Sequence, residues 1–213
     1  MNTDQWVALL AADAAPVRRR AVSRRLLLAL ATGLPLSFGW MMLEHGVRRD
    51  LIQAMFWPMF WVRLLFGAAI ALAAFVIVQR LARPGVRVRG AWLGLAAPVV
   101  VIWVLALLAL LSAPAEERAA LVWGQTWRNC AIDIAVVSLP TFAALLWALK
   151  GLAPTRPALA GAAAGALAGG AAAWVYAFHC PELAAPYIAV WYLAGIALPV
   201  VAGALIGARW LRW

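Results

Sequence analysis

The sequence predicts an all-α protein of the membrane, a bundle of six transmembrane helices with both termini cytoplasmic. Three observations carry that expectation. Hydrophobic residues fill 67% of the 213 positions and charged residues only 12%, whereas an ordinary soluble domain has roughly 45–50% and about 25%. Six apolar stretches, at roughly 26–43, 56–78, 92–112, 130–149, 158–178 and 187–207, approach or reach the about 20 residues a bilayer core requires. The basic residues fall in short clusters between these stretches, and mostly on alternate sides.

With the N-terminus inside, the cytoplasmic segments hold Arg18, Arg19, Arg20, Arg24, Arg25, Arg80, Arg83, Arg87, Arg89, Lys150, Arg156, Arg209 and Arg212. The opposite face holds only Arg48, Arg49, Arg118 and Arg128, and Arg63 lies within a span. Short loops that stay in the cytoplasm retain Lys and Arg, so this bias sets the orientation. A net charge of +10 would otherwise suggest nucleic acid. No single polar face gathers it, so topology explains the charge and no direct nucleic-acid binding is expected. The first apolar run continues for a full span without a small-residue cleavage pattern, and reads as an uncleaved helix rather than a signal peptide.

This layout divides the chain into two segments: a cytoplasmic N-terminal arm over 1–25 and a six-helix transmembrane domain over 26–213. In the arm, Thr3 or Asp4 is placed to cap a short helix whose Trp6, Leu9 and Leu10 share a face, and Pro16 interrupts the helical pattern beyond them. Such a helix suits either of two roles. It rests on lipid through Trp6 with the arginines at anionic headgroups, or it docks in a partner's groove.

Along the spans, Pro35, Pro58, Pro98, Pro140 and Pro199 fall within or at the ends of helices, where they free backbone carbonyls. Trp40, Trp57, Trp61, Trp123, Trp127 and Trp191 fall near outer ends and Trp92, Trp147, Trp210 and Trp213 near inner ends, as interfacial belts do. In the fifth span, Gly161, Gly165 and Gly169 at four-residue spacing line one helical face, which admits a neighbouring helix of the same chain or a second copy. The sequence does not fix an oligomeric state.

Arg63 and Asp133 are ionisable residues at membrane depth and hence functional candidates. A structural ion pair joining the second and fourth helices is the favoured reading, over a proton or ion path. Cys130 starts the fourth span and Cys180 comes just after the fifth, so topology puts both at the outer boundary, in a compartment that permits disulfides. A static disulfide, a redox-responsive or metal-responsive pair, and two unrelated thiols all fit. His179 and Glu182 beside Cys180, with His45 on the same face, suggest a thiophilic ion held by Cys130, Cys180, His179 and Glu182, although no spacing matches a zinc finger. No cofactor is expected beyond such a transient soft metal ion.

Nothing matches a phosphate loop, a Ser-His-Asp set or a metallohydrolase motif, so no enzyme is expected. The alternative class is a membrane thiol oxidoreductase or small transporter built on Cys130, Cys180, Arg63 and Asp133. The first would show a close cysteine pair in sequence and the second internal repeats with broken helices. Neither is evident.

The stretch KGLAPTRPALAG at Lys150 to Gly161, then FHCPE at Phe178 to Glu182 and IAVWYLAGIALP at Ile188 to Pro199, resembles the negative regulator of sigma F family. RNC at Arg128 to Cys130, SLP at Ser138 to Pro140 and the TDQWVALLAADAAPVR start also fit. The resemblance implies a bacterial inner-membrane anti-sigma factor that holds an extracytoplasmic-function sigma factor through its cytoplasmic arm, with Asp4, Trp6, Leu9, Leu10 and Asp13 as candidate contacts. It further implies that the positions of Cys130 and Cys180 sense periplasmic stress.

Overall fold

The computed structural model describes residues 2–12, 20–83, 85–88 and 90–212. Asp13, one of the candidate partner contacts, lies outside the described residues, as do Arg18, Arg19, Arg89 and Trp213.

Helix α1 spans Thr3–Ala12 and buries none of its side chains. Its cap is neither Thr3 nor Asp4. The Gln5 amide donates to Asn2 Oδ1 at 3.0 Å and the Asn2 amide to Gln5 Oε1 at 3.1 Å. This reciprocal pair satisfies two amide donors at the start of the helix.

Six helices are long and apolar enough to cross a membrane, and they fall where the six apolar stretches predict. They are α2 (Ala21–Glu44), α4 (Pro58–Leu81), α5 (Ala91–Ser112), α7 (Trp127–Lys150), α8 (Pro157–Tyr176) and α10 (Leu193–Trp210). Shorter pieces join them: α3 (Leu51–Ala54), α6 (Ala115–Trp123) and α9 (Ala185–Tyr187), the last running into a π-helical turn at Ile188–Tyr192 and then α10. Arg24 and Arg25 of the basic cluster belong to the first turns of α2. One end of the bundle is therefore rich in arginine and the other carries both cysteines.

The core forms around α8, whose sequence is almost entirely Ala and Gly. Small side chains let backbones approach, and in lipid that close packing holds helices together. α8 touches α2, α4, α7 and α10. A Cβ on Gly161 would strike the carbonyl of Gly203, and one on Gly165 the carbonyl of Pro199. On Gly169 it would meet Ile196 Cα at 3.0 Å. The glycine stripe thus packs within the chain, against α10. A second face of α8 meets α4, where a Cβ on Gly170 would lie 2.8 Å from the Ala71 amide. Helix α5 is the outermost span, with only Ile102 and Ala106 buried.

Contact between α2 and α7 runs through a similar notch. A Cβ on Gly33 would come within 2.6 Å of Thr141 Cα, and beside it the buried hydroxyls of Ser37 and Thr141 share a hydrogen bond of 2.9 Å.

Candidate functional site at the cysteine end

Cys130 sits in the first turn of α7 and Cys180 in the loop after α8, and each is fully buried. Both are free thiols, and they lie close enough to act on each other's protons. Placement at the outer boundary, as the topology predicts, does not leave them open: neither sulfur is exposed.

That loop is held by Arg63. The side chain leaves α4, fully buried, and its Nη1 donates to the carbonyls of Cys180 at 2.9 Å and Glu182 at 2.5 Å, while Nη2 donates to that of Ala177 at 2.7 Å. Arg48 Nη1 reaches the same Cys180 carbonyl at 3.1 Å and also grips Asp50, with Nε and Nη2 at 2.8 and 2.7 Å. The paired Arg48 guanidinium holds the Asp50 carboxyl down at about 2. The expected Arg63 to Asp133 ion pair is not formed. Among the described residues the ion pair is Arg48 with Asp50, and Asp133 instead accepts the Tyr176 hydroxyl at 3.0 Å. The loop's carbonyls, the unpaired end of the finished α8, lie nearer to Arg63 and claim its donors. A cation at a helix C-terminus also meets the negative end of the helix dipole.

These contacts shape the electrostatics of the pair. The neighbouring Cys130 thiol is the largest influence on Cys180 and lowers its pKa. Burial opposes it, and the Arg63 charge adds to the lowering, so the Cys180 thiol is held below its ordinary range. A lowered thiol pKa marks the sulfur that ionises, attacks a disulfide or binds a soft metal.

His179 and Glu182 turn away from the sulfurs. His179 Nδ1 is 3.0 Å from the Gly46 carbonyl, and its ring lies 5.0 Å from that of His45. Glu182 Oε1 accepts the Gln125 amide at 2.7 Å, in the turn between α6 and α7. Among the described residues no three His, Cys, Asp or Glu side chains gather to hold a metal. The four-ligand set read from sequence is therefore not assembled, and what remains is the two thiols. Gly124 makes this turn possible: its φ is +53°, and a Cβ there would lie 2.7 Å from the Tyr187 ring.

The sequence reading missed the tyrosines. The chain has three, Tyr176, Tyr187 and Tyr192, all buried around the sulfurs. Tyr187 shares a 2.8 Å hydrogen bond with Thr126, while the Tyr192 hydroxyl and Arg63 Nε are buried without a hydrogen-bond partner. In an α-helix, residues five apart point about 140° away from each other. The π-turn at Ile188–Tyr192 brings Tyr187 and Tyr192 nearer to one face, so that Tyr187 neighbours Cys130 and Tyr192 neighbours Cys180. Confinement of every tyrosine to the residues around Cys180 was the available signal. Part of the tryptophan belt also packs inward: Trp123, Trp127 and Trp191 meet at centroid distances of 4.7 to 5.5 Å, and Trp191 Nε1 donates to the Val122 carbonyl at 2.9 Å.

Residues 10–213 match the family described as negative regulator of sigma F. The chain is 43% identical to the probable anti-sigma-F factor NrsF of Azospira oryzae and 38% identical to the anti-sigma-F factor NrsF of Caulobacter vibrioides, each comparison covering 100% of both chains. No solved structure matches it. The names of these relatives describe regulators of transcription, not enzymes. Six spanning helices, a buried cysteine pair and full-length likeness to two such regulators agree, and the chain belongs to the negative regulator of sigma F family.

Proposed function

We propose that this protein is a membrane-held anti-sigma factor that sequesters an extracytoplasmic-function sigma factor through its N-terminal arm. It releases the partner when Cys130 and Cys180 are oxidised to a disulfide or bridged by a soft metal ion. The proximity of two thiols from distant parts of the chain is the observation that carries this reading. The arginine bias supports a cytoplasmic arm in the bacterial inner membrane and cysteines facing the periplasm.

Oxidation joins the sulfurs and surrenders two protons and two electrons to a two-electron acceptor such as a peroxide, which leaves as water. Metal capture displaces the same two protons without electron transfer. Either event ties the start of α7 to the α8 loop. Movement of α7 meets α2 at Thr141, Ser37 and Gly33, and α2 carries the arm. The signal acts only through its differential affinity for the holding and releasing states. A tenfold release needs about 1.4 kcal/mol of coupling.

Reporter output from a promoter of the partner sigma factor tests this under metal and peroxide stress. Induction in the wild type that disappears in Cys130→Ser and Cys180→Ser strains supports the sensor. Unchanged induction in the double variant removes the sensor and leaves the anchor standing. Deletion of 1–20 is expected to abolish co-purification with the sigma factor; its retention overturns docking through the arm.

A further inference from the structure

At the arginine-rich end, a cavity of about 650 Å³ is lined by Arg80, Arg83, Arg87 and Arg156 together with Thr155 and Trp92. It lies where α4 ends and α5 and α8 begin. Two helix N-termini border it, and each favours negative charge. Among the described residues no acid balances it from within the bundle. Asp4 and Asp13 belong to the arm, while Glu44, Asp50, Glu116, Glu117, Asp133 and Glu182 all lie toward the cysteine end. Four guanidinium groups around one cavity call for an anion, and arginine forks match phosphate oxygens.

A second cavity identifies the rest of the ligand. A wholly apolar groove of about 430 Å³ runs between α4 and α5, past Gly94, Ala69, Phe66 and Val101. Both cavities follow the α4–α5 pair: the basic one takes in Leu81 and Trp92 at the arginine-rich end, and the apolar one begins at Gly94, about 3 Å further along α5. Lacking a side chain there, α5 leaves the mouth clear: a Cβ at Gly94 would meet only Ala73, at 3.6 Å. From Gly94 to Leu105 the groove runs about 16 Å along α5 at 1.5 Å per residue, the scale of an acyl chain. It lies on the outermost span, which faces lipid.

We propose that the two cavities form one site for an anionic phospholipid, its phosphate among Arg80, Arg83, Arg87 and Arg156 and one acyl chain between α4 and α5. A zwitterionic lipid fits poorly, because its ammonium group would enter the same positive field. A soluble phosphate would fill the basic cavity alone and gain nothing from the groove.

Purified full-length protein in detergent, offered phosphatidylglycerol, phosphatidylcholine or inorganic phosphate and analysed by native mass spectrometry, tests the site. Retention of phosphatidylglycerol over phosphatidylcholine, reduced about tenfold or more in R83Q/R156Q, is the expected result. The R83K/R156K protein retains charge and is expected to keep part of the binding, which separates recognition from misfolding. Gly94→Leu fills the groove and is expected to weaken lipid retention with every arginine intact. Equal retention of both lipids, or of wild type and R83Q/R156Q, overturns the proposal. So does inorganic phosphate binding as well as phosphatidylglycerol.

Discussion

Arg63 donates to the main-chain carbonyl of Cys180 at 2.9 Å, so a residue that carries one of the two buried thiols is anchored by its backbone to a helix that contributes no thiol. The same guanidinium satisfies the Ala177 and Glu182 carbonyls. Hydrogen bonds to charged groups contribute about 1.5–3 kcal/mol each, and stranding buried acceptors carries its own penalty. Arg63→Met is therefore expected to destabilise the protein by on the order of 3 kcal/mol, read as a lowered unfolding midpoint in detergent. An unchanged midpoint would show that the loop is held by other contacts.

The Cys180 thiol is held below its ordinary range by Cys130 first and by the Arg63 charge in addition. Lowering relative to the unfolded thiol means that the folded chain holds a thiolate in a pH window where the unfolded chain holds a thiol, and folding gains stability as pH rises through that window. The S–H infrared band, which needs no reagent to reach the buried sulfur, is expected to be partly lost at lower pH than for an ordinary thiol. In Cys130→Ala the profile moves to higher pH. A Cys180 profile that is the same in both proteins would contradict the proton-sharing arrangement.

Gly165 and Gly39 offer a paired test of the packing seam. At Gly165 a methyl group would enter the Pro199 carbonyl, while at Gly39 nothing lies within 4 Å of the added carbon. Gly165→Ala is expected to cost about 1–3 kcal/mol through overpacking, and Gly39→Ala to be neutral or slightly stabilising. Thermal unfolding monitored by tryptophan fluorescence distinguishes them.

On α1, Trp6 and Leu10 are 56% and 71% exposed, and their removal leaves no cavity in the bundle. Trp6→Ala with Leu10→Ala is expected to reduce sigma-factor co-purification about tenfold or more, as loss of aromatic anchors does at interfaces. Membrane insertion and unfolding midpoint should remain as in the wild type. Undiminished capture would move the contact elsewhere on the chain.

The order of apolar runs along the sequence determined that this chain forms six spanning helices, because a bilayer satisfies no backbone polar group and apolar runs near 20 residues become helices. Four-residue glycine spacing likewise announced a close helix contact, since that period keeps one face bare along α8. Tertiary structure decided which partner each polar side chain chose. Arg63 and Asp133 look paired by depth, yet carbonyls at the end of α8 claim one and the Tyr176 hydroxyl the other. The gathering of Cys130 and Cys180 with three tyrosines depends on a π-turn and on the positive φ of Gly124. Neither is written in hydropathy, because hydropathy records where a side chain is soluble and not which neighbour its hydrogen bonds will find.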